Sequence, residues 1–245
     1  MKLTFLGTSH GIPSADRFCS CTLLEVGDDA YFIDMGAPGV DLLLRAGRTP
    51  EAVRAIFATH AHGDHTNGIL SYADLLNWAY PKASCDIWLT ETGQINAMKD
   101  LIAFSSSHPD EERVRFRLMT PETVYRDGRL TLTPIPTAHM GEGHPTYAYL
   151  VEAEGKKVLF SGDLSVNLAA DDFPKAALEE PLDLMMLECA HFSADQVKPY
   201  LQRCTARQVL FTHVYPVEKI PQLAALDGQF ACRVGTVADG DTVEL

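Results

Sequence analysis

No stretch of this 245-residue sequence carries the roughly 18 consecutive apolar residues that a membrane helix requires. A membrane-spanning role is therefore not expected. The start, Met1-Lys2 followed by the apolar residues 3–6 and a Gly-Thr-Ser-His turn, lacks the long apolar region and small-residue cleavage site of a secretion signal. It reads as a first strand, and a cytoplasmic location is expected. No CxxC pair occurs. Six cysteines (Cys19, Cys21, Cys85, Cys189, Cys204 and Cys232) are scattered through a long chain, which favours reduced thiols over a disulfide framework or a zinc knuckle. Linkers, low-complexity tracts and internal repeats are absent, so residues 1–245 are expected to form a single domain. Basic residues are scarce, with 20 Lys and Arg against 33 Asp and Glu and a net charge of −13. Such a surface repels polyanions and is expected to disfavour bulk binding of nucleic acid.

What the sequence does contain is ordinary globular material, 46% hydrophobic and 22% charged, long enough to bury a large core. Short runs rich in Val, Ile, Phe, Tyr and Leu, most bounded by turn residues, predict two sets of strands. The first covers 3–6, 22–26, 31–34, 55–58 and 86–89. The second covers 113–118, 123–125, 130–134, 147–151, 157–160, 184–187 and 208–211. Helical periodicity predicts helices over 40–46, 67–79, 92–103, 194–203 and 217–226, the second with Ile69, Leu70, Ala73 and Leu76 on one face. The pattern alone gives a sheet-rich α/β or α+β protein.

One segment carries chemistry. Thr59-His-Ala-His-Gly-Asp-His65 follows a strand-like run and precedes an amphipathic helix, where ligand-binding residues commonly gather. Residues two apart in an extended segment point the same way, so His60 and His62 can reach one metal together. Asp64 and His65, past Gly63, can face a second. Imidazole and carboxylate suit zinc, and also iron or manganese.

His-x-His-x-Asp-His resembles the signature of the metallo-β-lactamase superfamily, in the form used by its dinuclear hydrolases. Later segments resemble the family's remaining motifs in order. Thr137-Ala-His139 looks like the third histidine of the first metal, Phe160-Ser-Gly-Asp163 like the bridging aspartate, and Phe211-Thr-His213 like the last histidine of the second metal. Phe32-Ile-Asp34-Met-Gly36 resembles the Asp-x-Gly turn whose aspartate supports ligand histidines. The resemblance spans essentially the whole chain. It implies the four-layer αββα sandwich and two divalent metal ions per chain, zinc first, with manganese or iron as alternatives.

Within the superfamily the chain is similar to the ribonuclease Z-like phosphodiesterase branch. The opening Phe5-Leu-Gly-Thr-Ser-His-Gly-Ile-Pro-Ser14 and the segment Gly143-His-Pro-Thr-Tyr-Ala-Tyr149 resemble that branch's motifs. So do Glu188 and His191-Phe-Ser193, the histidine lying 22 residues before His213. Leu187 stands where the branch has a histidine, and residues 78–117 read as helix and strand, not as a Gly-rich, basic protruding arm. With the acidic charge, this gives the expectation of a small anionic substrate, a cyclic nucleotide or ribose phosphate type of phosphodiester. A metal pair about 3.5–4 Å apart would lower the pKa of a bridging water toward about 7, with Asp64 orienting the nucleophile. His191, held by Glu188, is the expected general acid for the leaving alkoxide. His10 and His144 are possible substrate-binding residues, and His108 reads as an exposed loop residue. A thioesterase or lactonase of the glyoxalase II type, and a ribonuclease Z-like nuclease, are the alternatives on the same metals. The branch implies a possible homodimer.

Overall fold

The computed structural model describes residues 1–105 and 110–245; the expectation for His108 lies outside the described residues. The chain forms two compact units. The first comprises Met1–Gly7, Gly11–Met119 and Asp239–Glu244, and the second Thr8–His10 and Thr120–Ala238, with Leu245.

The first unit holds a seven-stranded sheet built from β1 (Lys2–Gly7), β2 (Cys21–Val26), β3 (Asp29–Met35), β4 (Val53–Phe57), β5 (Cys85–Leu89), β6 (Val114–Leu118) and β14 (Thr242–Glu244), in the order β14-β1-β2-β3-β4-β5-β6. Pairing is antiparallel from β14 to β3 and parallel from β3 to β6. The parallel pairs need crossovers. These are supplied by α1 (Gly39–Arg45), α2 (Gly63–Trp78) and α3 (Thr92–Phe104). On α2, Ile69, Tyr72, Ala73 and Leu76 recur at helical spacing and are fully buried in one cluster with Phe32, Ile56 and Ile87 of the sheet. Each of the Ile, Leu and Phe side chains stabilises the unit by about 1.5–3 kcal/mol.

The second unit repeats the plan with β7 (Tyr125–Arg126), β8 (Thr131–Thr137), β9 (Thr146–Ala153), β10 (Lys156–Phe160), β11 (Leu184–Cys189), β12 (Gln208–Val214) and β13 (Arg233–Thr236). Their order is β13-β12-β11-β10-β9-β8-β7. Strands β7 to β10 pair antiparallel and β10 to β13 parallel. The helices of this unit are α4 (Ala176–Glu179), α5 (Ala194–Leu201) and α6 (Ile220–Ala224). One hydrophobic cluster of this unit includes Leu159, Leu187, Val197, Phe211 and Leu223. Helix α5 opens on a complete capping box, the Ser193 side chain accepting from the Gln196 backbone and the Gln196 side chain from Ser193.

Three differences from the sequence expectations stand out. Residues 113–118 belong to the first sheet, because β6 pairs in parallel with β5 along its whole length. Helix α2 begins at Gly63, four residues before the expected start at 67, because its first turn is polar. Strands β13 and β14 and the single-turn α4 were not anticipated, being short and weakly patterned.

In open parallel sheets, ligands gather beyond the carboxyl ends of the strands. In the first unit the chemistry-bearing residues lie at or just past the ends of β3 (Asp34) and β4 (Thr59 to His65). In the second they lie at or just past the ends of β8 (His139), β10 (Asp163), β11 (Glu188) and β12 (His213).

Candidate functional site

In the first unit the motif is organised around Asp34, a buried carboxylate in the left-handed region at φ 57°, which Asp tolerates better than most residues. Its Oδ1 accepts from the Thr59 backbone N–H at 2.7 Å. The Thr59 hydroxyl lies 3.0–3.1 Å from both carboxylate oxygens, and Oδ2 lies 2.7 Å from His65 Nδ1. These contacts fix tautomers. A hydroxyl has one proton; Thr59 gives it to Asp34, so at 3.1 Å it accepts from His60 Nδ1–H. His65 Nδ1 likewise carries its proton toward Asp34. In both rings the lone pair is then on Nε2, the form that a divalent metal binds. His60 Nε2 lies 3.0 Å from His62 Nδ1, close enough for both to ligate one cation. His65 Nε2 lies 3.6 Å from Asp64 Oδ2.

Backbone packing explains why this motif needs its glycine neighbours. A Cβ on Gly36 would stand 1.7 Å from the Asp64 carbonyl oxygen, and one on Gly68 would stand 1.9 Å from that of Ala37. The first turn of α2 thus rests directly on the chain leaving β3. Asp64 in that turn also complements the positive end of the helix.

In the second unit the centre is Asp163, a carboxylate with 4% side-chain exposure. Its Oδ2 is ringed by three imidazoles: His213 Nε2 at 3.3 Å, His139 Nε2 at 3.7 Å and His191 Nδ1 at 3.9 Å. His139 Nδ1 lies 3.1 Å from the Leu164 carbonyl, which places its proton there and its lone pair on Nε2. His139, Asp163 and His191 each offer a ligand atom, all within 4.8 Å of one another. His213 sits at φ 51°, a conformation that costs about 1–3 kcal/mol and clusters at functional positions. Its N–H is held by the Thr8 carbonyl at 3.0 Å.

Glu188 is almost fully buried. It accepts from the backbone N–H groups of Leu164 (2.8 Å), Ala190 (2.7 Å) and His191 (3.1 Å), and its Oε1 lies 2.9 Å from His191 Nδ1. An ionised carboxylate can only accept, so the His191 ring presents Nδ1–H to Glu188 and keeps Nε2 for other work. His10 stacks on Tyr215 at 4.7 Å and lies 5.2 Å from the His213 ring. His144 is exposed and lines a cavity of about 330 Å³ with Pro136, Thr137, Pro145 and Tyr147.

Four residues that the sequence did not signal hold these loops in place. Thr59 is described above. Gln94 on α3 donates to the Ala61 carbonyl and to the Thr66 hydroxyl, both at 3.0 Å. Asp172 accepts from the backbone N–H groups of Ala138 and Ser165 and from the Ser165 hydroxyl, tying the His139 loop to the Asp163 loop. Lys219 donates to three carbonyls around His191. A single Thr, Gln, Asp or Lys carries no spacing from which such a role could be read. All six cysteines are free thiols, and burial pushes those of Cys21 and Cys85 far above the usual thiol range. No helix among the described residues is long and apolar enough to cross a membrane.

Comparison with known proteins places these features. Ribonuclease BN of Cronobacter sakazakii is 30% identical over 159 residues, 64% of this chain and 51% of that protein. The chain spans about half the length of the curated relatives it matches. The metallo-β-lactamase fold protein YhfI from Bacillus subtilis superposes with a TM-score of 0.76 at 21% identity, over 100% of this chain and 99% of that one. The short form of human tRNase Z gives a TM-score of 0.76 at 18% identity, over 100% and 99%. The chain therefore has the metallo-β-lactamase fold, as its motifs implied, and its resemblance to the ribonuclease Z-like branch is borne out.

One expectation is overturned. The acidic net charge alone predicts weak binding of nucleic acid, yet the curated relatives are named ribonucleases and a structural neighbour is named a tRNase. Net charge sums over the whole surface, whereas a phosphate chain responds to the field within a Debye length of about 8–10 Å. A value of −13 therefore did not license the exclusion. A further match covers most of the sequence: the family model of the Anti-Pycsar protein Apyc1 fits residues 1–203, and the chain belongs to that family.

Proposed function

We propose that this chain is a metal-dependent phosphodiester hydrolase working with two divalent cations, zinc in first place and manganese or iron as alternatives. His60, His62 and His139 would hold one cation, Asp64, His65 and His213 the other, and Asp163 both. The donor chemistry fits. His60, His65 and His139 all have Nδ1 engaged by a protein oxygen and Nε2 in the ligating form, and Asp163 Oδ2 is surrounded by imidazole nitrogens that a cation would reconcile with it. When bound, such a pair supplies an ionised water and neutralises nonbridging phosphoryl oxygens. The two units interleave along the chain, residues 8–10 belonging to one and the flanking segments to the other, which supports treating residues 1–245 as one domain.

Hydrolysis joins the water oxygen to phosphorus and breaks the bond from phosphorus to the leaving oxygen. Asp64 is assigned the orienting of the water and the acceptance of its proton. The departing alkoxide needs a proton, and His191 is assigned its delivery from Nε2, with Glu188 holding Nδ1–H and stabilising the imidazolium. The products are an alcohol and a phosphomonoester. The observation that carries this reading is the Glu188–His191 pair, 2.9 Å apart beside Asp163. A thioester's thiolate leaves without an acid, so a thioesterase would have no use for it. The proposed substrate is a ribose-linked phosphodiester, from a cyclic nucleotide or ribose phosphate at the small end to RNA at the large end, and the ribonuclease names of the relatives support that class.

The test is a panel of bis-p-nitrophenyl phosphate, a 3′,5′-cyclic nucleotide, a short RNA, a thioester and a lactone, each with and without a chelator. Chelator-sensitive cleavage of the phosphodiesters, at least a hundredfold above the thioester and lactone, is expected. Preferential thioester or lactone cleavage would overturn the assignment.

A further inference from the structure

Lys219 closes the short 3-10 turn Val217–Lys219 that leads into α6. Its Nζ donates to the carbonyls of Cys189 (3.1 Å), Ala190 (3.1 Å) and Phe192 (2.8 Å). An ammonium has three N–H bonds, so every donor is spent on one segment of backbone, the residues on either side of His191. The same segment is gripped from its other polarity. Glu188 takes the N–H groups of Ala190 and His191, and the His191 carbonyl accepts from the Asn167 N–H at 2.8 Å. A cation on the carbonyls and an anion on the amides hold these peptides in one orientation, and the His191 ring has its Nδ1 pinned within that frame. The reach of the Lys219 charge into the loop also shows at Cys189. Burial pushes that thiol up to about 12, with the Lys219 charge opposing the rise.

We propose that Lys219 is a positioning residue for His191: it touches no reacting atom, but by capping the carbonyls of 189, 190 and 192 it sets where the His191 imidazole stands relative to the leaving oxygen. This rests on the assignment of His191 as the general acid. No neutral side chain offers three donors from one atom. Arginine keeps the charge but spreads its donors over a plane, so it cannot cap three converging carbonyls. A misplacement of about 1 Å at a catalytic group can cost about a hundredfold.

The experiment uses the full metal-loaded chain and compares Lys219→Met, which keeps the aliphatic stem, with Lys219→Arg. Each is assayed on p-nitrophenyl esters, whose leaving group needs little protonation, and on alkyl esters, which need it. Lys219→Met is expected to lower kcat on alkyl esters by at least tenfold more than on p-nitrophenyl esters, with KM and metal content held within twofold. Lys219→Arg is expected to fall between that variant and the wild type, which also carries the test should Lys219→Met fold poorly. In a His191→Ala background, Lys219→Met should produce no further leaving-group-dependent loss. A loss equal for both leaving groups, a loss additive with His191→Ala, or a loss of metal would overturn the proposal. An unmodified protein that cleaves no phosphodiester at all would instead overturn the functional reading on which it rests.

Discussion

At the scale of single residues, two side chains are assigned separable tasks. His191 is fixed through Nδ1 by a buried glutamate, so, on the proposed assignment, its removal should subtract proton delivery and leave the metal ligands in place. His191→Ala is expected to retain its metals by elemental analysis. It should lose about 10²–10⁴-fold in kcat on alkyl leaving groups, the usual worth of general acid catalysis. Equal turnover of wild type and variant on such substrates would remove the acid assignment. Asp163, by contrast, is the carboxylate that three imidazoles surround. Asp163→Ala should lose metal occupancy, and full occupancy in that variant would show the bridging role to be misplaced. Neither expectation depends on the other, because Glu188 and not Asp163 makes the short contact to the His191 ring.

At the scale of elements, the first turn of α2 is the part that the rest must accommodate. Gly36→Ala would drive a methyl group into the Asp64 carbonyl. It should destabilise by about 1–3 kcal/mol, as overpacking does, and weaken metal binding by displacing Asp64 and His65. Gly93, whose Cβ would meet nothing within 4 Å, is the control. Gly93→Ala lies in the first turn of α3 and should be neutral or stabilising by up to about 1 kcal/mol. Thermal melts of both variants check the contrast, and comparable melting of the two would contradict it. These elements also show what the sequence made legible. Short runs of β-branched, aromatic and Leu residues bounded by turns placed twelve of the fourteen strands found among the described residues, in the positions of β1 to β12, because each carries apolar residues into a core. The polar first turn of α2 was invisible to a search for apolar stripes. Strand β14 pairs over only three residues and owes its place to β1, far away in sequence. The ligand-type residues announced themselves by type and spacing. Their supports, Thr59, Gln94, Asp172 and Lys219, did not, because isolated hydrogen bonds to backbone or to a distant side chain leave no pattern in sequence.

At the scale of the whole molecule, charge is the property most easily misread. A net charge of −13 coexists with local pairings that hold individual carboxylates below their ordinary range. Burial alone would raise the pKa of Asp86, but hydrogen bonds and charge from Arg115 and Arg117 outweigh it and lower it from 3.8. A carboxyl whose folded pKa is depressed contributes stability that is complete above its unfolded value and is lost as pH falls through the folded one. The stability gap between wild type and Asp86→Asn should therefore be constant from pH 7 to about pH 5 and shrink below about pH 4. Urea titrations across that range measure it, and a gap that widens on acidification would contradict the sign. Anomalous diffraction from crystals of the metal-loaded protein tests the proposed metal centre. Two cations are expected about 3.5–4 Å apart, one ligated by His60, His62 and His139, the other by Asp64, His65 and His213, and both by Asp163. A single cation, or cations bound by residues of only one of the two motif groups, would contradict it.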